Sequence, residues 1–406
     1  MRFAISTLGC KVNQYESQRL REGLVSAGHT ERPFSEGGAD WYIINTCTVT
    51  NRADADARKL VRRALRQGGR VVVTGCLAVV YPEEINSISG EVEAVLPDQL
   101  CKVFVIDLPS SISAFNGHSR AFVKIQQGCN MSCAYCIVPQ ARGKSMSRPW
   151  EDIVSEMDVL QAQGYSEVVL SGINIGLYEE GMARLLEKVL THTRMPRIRI
   201  SSLEPWTVEN ELIEIVAGEP RVCKHLHLPL QHGCDSILKT MGRPYTTRYF
   251  RSLIDRISSG SDKISIGLDI IVGFPGEDDE AFEESYRFIE DMHVSYLHVF
   301  PFSPRPGTIA TGMGGRAGDE KIRWRARRLR DLSREKRWSF ARSRVGYVEE
   351  ILVTKVCHTS FFGMSSNYLT VQVQGSASEG AILRVMLLDM DGSTLRGESL
   401  GQSSDS

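Results

Sequence analysis

The chain has 406 residues, of which 42% are hydrophobic, and its formal net charge is −1. This length exceeds one ordinary domain, so we expect two or three domains that each bury a normal core. The near-neutral charge excludes nucleic-acid binding through overall charge, and the lack of a long apolar run excludes a membrane span or a signal peptide. We therefore expect a cytoplasmic protein without a membrane partner.

The first third alternates strands and helices. Strands are predicted at residues 2–8, 41–45 and 70–74, and helices at 13–27 and 54–66. This alternation is typical of an open parallel α/β sheet. Residues 107–119 contain Pro109, several serines and Gly117, and they predict a linker. We place a first domain at residues 1–118.

A second alternation follows and predicts a central domain at residues 119–340. Its strands are predicted at 121–126, 167–171, 197–201, 225–228, 265–272 and 296–300. Helices lie between them, for example at 149–163 and 279–292. Six βα units indicate a partial (β/α) barrel and not a closed eightfold one.

The last part of the chain changes character. Residues 321–344 hold eleven lysines and arginines against two acidic residues, a net charge of +9. Short strand-like runs follow at 348–353, 369–373 and 382–388, which predict a small antiparallel β-barrel or sandwich at residues 341–401. We expect residues 401–406 to form a frayed tail.

Three of the ten cysteines lie close together. Cys129, Cys133 and Cys136 have the spacing C-x3-C-x2-C. Three thiolates on one loop can hold three irons of a 4Fe–4S cluster and leave the fourth iron open. The alternative is a structural zinc site, which normally takes four protein ligands, and no fourth Cys or His lies close by in sequence.

This motif resembles the signature of the radical S-adenosylmethionine superfamily, in which an aromatic residue, here Tyr135, precedes the last cysteine. In that superfamily the open iron binds S-adenosylmethionine, whose reductive cleavage yields a radical that abstracts a substrate hydrogen. The resemblance implies that Tyr135, Gly172 after the second barrel strand and Glu204 after the third contact S-adenosylmethionine.

Cys10, Cys47 and Cys76 each follow a predicted strand of the first domain. Residues just past the ends of parallel strands gather at one edge of the sheet, so three thiolates could meet there. The alternative is that they are small buried residues, as cysteines often are. The other four cysteines, Cys101, Cys223, Cys234 and Cys357, lack such spacing, and we interpret them as structural.

Residues 7–17, Thr-Leu-Gly-Cys-Lys-Val-Asn-Gln-Tyr-Glu-Ser, and 45–50, Asn-Thr-Cys-Thr-Val-Thr, resemble the amino-terminal domain of the methylthiotransferase family. The resemblance extends from residue 1 to about residue 400. It implies a second 4Fe–4S cluster on Cys10, Cys47 and Cys76.

Within this family, residues 9–16 and 46–54 are most similar to the branch that modifies threonylcarbamoyladenosine next to the anticodon of tRNA. Its reaction inserts a methylthio group at carbon 2, and no side chain need act as general acid or base. The alternatives are the branches for isopentenyladenosine in tRNA and for a ribosomal-protein aspartate. A non-catalytic RNA-binding protein with a structural metal is a further alternative.

Other stretches concern ligands and partners. Three histidines, His225, His227 and His232, could suggest a metal site, but cofactor or substrate contact or packing is the preferred interpretation. The basic run at 321–344 is either a phosphate-contacting surface or a solvated helix face. The β-module after it resembles the TRAM domain, which binds tRNA, and the basic stretch 52–70 could meet the anticodon stem. The resemblance implies tRNA, a flavodoxin or ferredoxin as electron donor, and a sulfur donor as partners of a monomer.

Overall fold

A computed structural model describes residues 1–392 and 394–402. Its strands and helices fall into three parts: an amino-terminal sheet, a partial barrel and a closed carboxyl-terminal barrel. No helix among the described residues combines the length and the apolar character needed to cross a membrane.

The amino-terminal part is a five-stranded parallel sheet in the order β2-β1-β3-β4-β5. The two central strands are apolar, and their Ile43, Ile44, Val72 and Val73 are fully buried, as expected for a sheet covered on both faces. The strands are β1 Arg2–Thr7, β2 Thr30–Glu31, β3 Trp41–Thr46, β4 Arg70–Gly75 and β5 Val92–Ala94. The helices are α1 Lys11–Ser26, α2 Asn51–Arg66, α3 Cys76–Val80, α4 Pro82–Asn86 and α5 Leu100–Phe104.

The central part is a partial barrel whose two parallel sheets, β10-β9-β6 and β11-β12-β13, are joined by the isolated bridges Ile198–Val222 and Ser202–His227. Its strands are β6 Ala121–Lys124, β7 Gln126–Gln127, β8 Met146–Ser147, β9 Glu167–Ser171, β10 Arg197–Ile200, β11 His225–His227, β12 Ser265–Val272 and β13 Tyr296–Pro301. Its helices are α6 Val138–Arg142, α7 Trp150–Ala162, α8 Met182–His192, α9 Asn210–Gly218, α10 Asp235–Thr240, α11 Thr247–Gly260, α12 Asp279–Glu290 and α13 Asp319–Ser343. Short 3-10 turns lie at Ile175–Leu177, Pro205–Thr207 and Ile309–Gly312.

The barrel is open because its edge strands, β6 and β13, do not pair with each other. Helix α1 of the amino-terminal part packs against β6, and α13 packs against β13. The predicted strand at 121–126 is wrong in one respect. It divides into β6 and β7, and β7 turns away to pair antiparallel with β8 beside the cysteine loop.

The carboxyl-terminal part is a closed barrel in the order β14-β15-β16-β18-β17. All its pairs are antiparallel except β16–β18. Its strands are β14 Val348–Val356, β15 Ser360–Ser365, β16 Thr370–Gln374, β17 Ile382–Asp391 and β18 Thr394–Gln402. The expected tail at 401–406 is wrong for residues 401 and 402, which belong to β18, and residues 403–406 lie outside the described residues. The predicted fold class is confirmed for all three parts.

Buried arginines join the three parts. Arg305, after β13, donates from Nη2 to Asp54 Oδ2 at 2.6 Å and to Thr48 Oγ1 at 2.7 Å in the amino-terminal part. Arg199 on β10 donates to the carbonyl oxygens of Ser365 and Ser366 in the closed barrel, at 3.0 Å each. Because a buried guanidinium must keep its acceptors, these contacts fix how the parts sit on each other.

Candidate functional site

Three cysteines lie where the central strands of the amino-terminal sheet end. Cys10 follows β1 and precedes α1, Cys47 follows β3, and Cys76 begins α3 directly after β4. Strands β1, β3 and β4 are neighbours in the sheet, and the strand order reverses between β1 and β3. A sheet of this order places its ligand crevice at the carboxyl ends of the strands, at the point of reversal.

Two glycines allow the three turns to approach one another. Gly9 has a φ of 110°, and a Cβ atom there would lie 2.7 Å from Cys47 Cβ. Gly75 has a φ of 84°, and a Cβ atom there would lie 2.3 Å from Asn45 Oδ1. Only glycine adopts these backbone angles and leaves this space free. The Cys10 turn therefore lies against Cys47, and the Cys76 turn lies against the end of β3.

Asn13 and Arg142 tie this triad together and connect it to the barrel. Asn13 donates from Nδ2 to the carbonyl oxygens of Leu8 and Thr46, at 2.9 Å each. Arg142, at the end of α6, donates from Nε to Cys76 Sγ at 3.2 Å and from Nη2 to Asn13 Oδ1. Its Nη1 donates to Glu16 Oε1 at 2.7 Å. One guanidinium thus holds the sulfur of Cys76, the helix that follows Cys10, and the partial barrel.

Two thiols of this triad, those of Cys47 and Cys76, are withdrawn from water, whereas Cys10 is exposed. Burial raises the pKa of Cys47 to about 11, and the nearby charges of Cys76 and Cys10 raise it further, against the Val49 N–H. Burial also raises the pKa of Cys76, while Arg142 lowers it. Such thiols stay protonated at neutral pH unless a cation binds, and a coordinated metal removes the proton outright.

The second triad occupies one loop at the carboxyl end of β6. Cys129, Cys133 and Cys136 are all partly buried, and hydrogen bonds fix the loop: Cys129 N–H donates to Gly143 O at 3.0 Å and Ala134 N–H to Met241 O at 2.9 Å. Asn174 Nδ2 lies 3.6 Å from Cys129 Sγ. Burial raises the pKa of Cys136 to about 12. This loop faces the same side of the barrel as the other strand ends.

Arg243 contacts a sulfur of this triad, as Arg142 contacts a sulfur of the first. It donates from Nη1 to Cys133 Sγ at 3.3 Å and forms a buried ion pair with Glu204. Burial raises the pKa of Glu204, and Arg243 opposes that rise. Glu204 could be singled out from the sequence, but both arginines were missed, because no local pattern marks a residue whose partners are distant in sequence.

The structure places the three residues expected to contact S-adenosylmethionine around this loop. Tyr135 is partly buried beside Cys136, and desolvation raises its pKa well above the ordinary value. Gly172 follows β9, where a Cβ atom would lie 2.9 Å from Gln126 O. Glu204 follows β10 and reaches the Cys133 sulfur through Arg243. Their contact with the cofactor stays a prediction.

A cavity of about 260 Å³ lies between the turn that follows Cys47 and Cys136 of the loop triad. Val49 and Thr50, just after Cys47, form one wall, and Tyr135 and Cys136 form another. Phe300 and its neighbours on β13 provide an apolar side, and Asp269 on β12 is the one acidic residue in its lining. Apolar and aromatic walls with a few polar groups are typical of small-molecule sites.

The three histidines that could suggest a metal site, His225, His227 and His232, have separate partners. His225 Nε2 lies 2.8 Å from the Tyr296 hydroxyl, and His232 Nε2 lies 3.4 Å from Glu277 Oε2. His227 is different, because its Nε2 lies 3.2 Å from Asp269 Oδ1. His298, which no sequence pattern marked, lies 3.5 Å from the same oxygen.

The distances between donor atoms distinguish a zinc site from a 4Fe–4S cluster at the cysteine triads. Among the described residues, His227, Asp269 and His298 form the one group of three potential ligands whose donor atoms all lie within 4.8 Å of one another. Three sulfurs bound to one zinc at about 2.3 Å each would also lie within 4.8 Å of one another. The sulfurs of neither cysteine triad do so. The wider arrangement fits a cluster in which each thiolate binds a different iron.

The basic run forms helix α13, and ion pairs neutralise part of its positive charge. Arg325 is buried and paired with Glu277, and Arg328 is paired with Glu283. Arg323 and Arg327 are exposed and form no ion pair with any described residue. Arg330, three residues after Arg327, is exposed on the same face of the helix. Part of the run therefore stabilises the barrel, and an exposed stripe remains for an anionic partner.

The remaining cysteines have different surroundings. Cys223 and Cys234 are buried, Cys101 is partly buried and Cys357 is exposed. Cys223 Sγ lies 3.8 Å from Glu167 Oε2, and Cys234 Sγ lies 3.1 Å from Ser236 Oγ.

Comparison with known proteins gives consistent results along the whole chain. Residues 123–289 match the Radical SAM superfamily, and residues 2–97 match the uncharacterized protein family UPF0004. The chain is 36% identical to the threonylcarbamoyladenosine tRNA methylthiotransferase MtaB of Bacillus subtilis (strain 168), over 95% of this chain and 93% of that protein. It is 37% identical to the protein of the same name from Chlamydia pneumoniae, over 98% and 97%.

A solved structure shares the fold. The radical S-adenosylmethionine methyltransferase TsrM from Kitasatospora setae superposes with a TM-score of 0.54 and 13% identity, covering 76% of this chain and 77% of that one. At this identity the likeness concerns the arrangement of strands and helices alone.

Proposed function

Because the chain belongs to the radical S-adenosylmethionine methylthiotransferase family, we propose that it transfers a methylthio group to carbon 2 of threonylcarbamoyladenosine next to the anticodon of tRNA. The observation that carries this function is the presence of two cysteine triads, with one cavity lined both by the turn that follows Cys47 and by Cys136 of the loop triad. One triad alone would support radical chemistry on an unspecified substrate. Two triads supply a place for the radical source and a place for the sulfur.

The cofactors of this enzyme are S-adenosylmethionine and two 4Fe–4S clusters. The donor sets fit them, since each triad offers three thiols, which are partly or fully buried except for the exposed Cys10, and leaves one iron without a protein ligand. Cys129, Cys133 and Cys136 would hold one cluster, and Cys10, Cys47 and Cys76 the other. When bound, the cofactors supply the radical and the sulfur, which no side chain can supply.

The chain's own residues bind, orient and exclude water. Arg142 and Arg243 each place one positive charge against a cysteine sulfur, and this charge would offset the negative charge of a cluster that the thiolates hold. Arg305 keeps the Cys47 turn against the barrel through Thr48 and Asp54. Phe300 and Phe302 give the cavity an apolar wall. No side chain need act as general acid or base.

The tRNA would be met by surfaces beyond the cavity. The exposed stripe of α13 offers Arg323, Arg327 and Arg330 to phosphates, and the closed barrel beside it corresponds to the TRAM-like module. We assign residues 1–118, 119–340 and 341–401 to three domains with these separate tasks. An electron donor such as flavodoxin or ferredoxin, and a sulfur donor, complete the reaction of a monomer in the cytoplasm, where tRNA is found.

Mass spectrometry of tRNA nucleosides tests this function. A strain that lacks the gene should lose methylthio-threonylcarbamoyladenosine, accumulate the unmodified precursor, and regain the product when the gene is restored. Methylthio-isopentenyladenosine and the methylthio-aspartate of the ribosomal protein serve as controls and should not change. Loss of either control product with the first unchanged would contradict the assigned substrate.

A further inference from the structure

Three polar side chains on one face of the sheet β11-β12-β13 meet beside the cavity. His227 ends β11, Asp269 lies in β12, and His298 lies in β13. The parallel register pairs His227 with Gly267, two residues before Asp269, and it pairs Asp269 directly with His298. Because residues two apart in a strand share a face, this register brings an imidazole from each neighbouring strand to one carboxylate.

The distances between the donor atoms match those around a single metal ion. His227 Nε2 lies 3.2 Å and His298 Nδ1 lies 3.5 Å from Asp269 Oδ1, and all three atoms lie within 4.8 Å of one another. Two ligand atoms that are each about 2.0–2.1 Å from a tetrahedral zinc ion lie about 3.3 Å apart, between the two measured distances. Two imidazoles and one carboxylate also form the donor set of known catalytic zinc and non-haem iron sites.

His227 Nε2 lacks the hydrogen bond that its burial requires. His227 is only 8% exposed, and its Nε2 makes no hydrogen bond with any described residue, although Asp269 Oδ1 lies within reach. The other ring nitrogen, Nδ1, lies 2.6 Å from Ser202 Oγ. A buried polar atom without a partner costs free energy, and a metal ion bound through the lone pair of Nε2 would remove that cost. A hydrogen bond at the second nitrogen is usual for histidines that bind metals.

The three side chains can be reached from solvent and adjoin the cavity. The side chain of His298 is 47% exposed, so an ion can enter from that side. Asp269 lines the cavity together with Cys136 of the loop triad. Three protein ligands leave at least one position of an ion free, as in catalytic zinc sites, and water or a substrate oxygen would complete the coordination.

We propose that His227, Asp269 and His298 bind one divalent transition-metal ion beside the cavity. Zinc suits this donor set and is the ion used in the test. The site is separate from both cysteine triads, since none of its ligands is a thiol. The ion would place a Lewis acid with a free position next to the space that the substrate enters.

Zinc titration of the reconstituted full-length enzyme tests this site. Both clusters are assembled first, so that the six cysteine thiols are occupied, and zinc is then added in competition with a chromophoric chelator. The wild type should bind about one zinc per chain in addition to its iron. X-ray absorption at the zinc edge should show nitrogen and oxygen ligands at about 2.0–2.1 Å and no sulfur at about 2.3 Å.

Three variants make the result specific. Ser202→Ala removes the hydroxyl beside His227 and should lower the zinc affinity by about 10- to 100-fold, as loss of such a supporting partner usually does. His298→Ala removes a ligand that is half exposed, and it should lower the affinity more than Ser202→Ala does. His293→Ala, at an exposed histidine just before β13, is the control and should leave the affinity unchanged. Iron content and thermal unfolding show whether each variant keeps its fold and its clusters.

The possible results are distinct. If the wild type binds no zinc once both clusters are in place, the two imidazoles serve only as neighbours of the carboxylate and the assignment is wrong. Sulfur ligands in the absorption spectrum, or equal zinc affinities of His298→Ala and His293→Ala, would also overturn it. Because zinc binding is measured without RNA, these results do not depend on the proposed substrate.

Discussion

The two cysteine triads are assembled in opposite ways. Cys129, Cys133 and Cys136 lie within eight residues on one loop, whereas Cys10, Cys47 and Cys76 come from three turns that the parallel sheet brings together. The first triad depends on local backbone hydrogen bonds, and the second on strand register and on packing against the barrel. Both nevertheless use the same device, a buried arginine that donates to one sulfur and pairs with a glutamate.

Removing one cysteine from each triad should separate their roles, and this is the largest effect we expect. Cys133→Ala should abolish both the release of 5′-deoxyadenosine and the methylthiolated product. Cys47→Ala should abolish the product but still release 5′-deoxyadenosine, since the loop triad is intact. Chromatography of the reaction measures both compounds. Cys357→Ala, at an exposed cysteine, is the control. Continued release of 5′-deoxyadenosine by Cys133→Ala would contradict the division of roles.

The arginines test whether each triad has its own support. Arg142→Ala leaves Glu16 with Lys124 as its one remaining ion-pair partner among the described residues, and Arg243→Ala leaves Glu204 without its buried partner. Breaking such a pair costs about 3–5 kcal/mol, and we expect each variant to lose iron from its own triad first. Denaturant unfolding and iron analysis measure the two effects, and the lysine variants should recover part of each. Equal iron loss from both triads in both variants would argue against separate supports.

Arg305 tests how far the assembled triad depends on the barrel. Arg305→Ala removes the buried ion pair with Asp54 and should lower the free energy of unfolding by about 3–5 kcal/mol. Arg316→Ala removes an exposed pair with Asp319, worth at most about 1 kcal/mol. Denaturant titration of both variants gives the comparison. Similar values for the two would show that Arg305 does not hold the Cys47 turn.

The stripe on α13 should give the smallest effect, confined to RNA affinity. Arg323→Ala combined with Arg327→Ala removes two unpaired charges. The slope of log affinity against log salt should fall by about 0.7 to 0.9 for each phosphate that the variant no longer neutralises. Filter binding of the anticodon stem-loop at several salt concentrations measures it. The control is Arg328→Ala, which removes a guanidinium that is paired with Glu283, and it should leave the slope unchanged. An equal change of slope in this control would contradict RNA binding by the exposed stripe.

Much of the fold could be predicted because the barrel strands carry a strong local signal. The predicted bounds of β9 and β12 match the structure, since both consist mostly of apolar residues that become buried. Strands β15 and β18 were missed. Each contains at least one serine and an interior glycine, and Gly363 is required because Ile351 packs over it. Their strand conformation comes from barrel closure and not from propensity.

The site divides in the same way. The loop triad is visible in the sequence because its spacing is local, and the other triad could be expected only from the rule that parallel strand ends meet. Arg142 lies 126 residues from Glu16, and Arg305 lies 251 residues from Asp54. No periodicity or motif encodes such pairs, since they arise only when the parts dock. In the sequence, His298 and Asp269 could not be distinguished from other polar residues on strands. Only the barrel brings them together.

The central claim is that each triad holds its own cluster, and iron and sulfide analysis after anaerobic reconstitution tests it most directly. The wild type should contain about eight irons per chain, and each triple variant, Cys10/Cys47/Cys76 or Cys129/Cys133/Cys136 to alanine, about four. The two variants should therefore lose equal amounts of iron, although one triad is local and the other assembled. A wild type with about four irons, or with one zinc and no iron, would contradict the account.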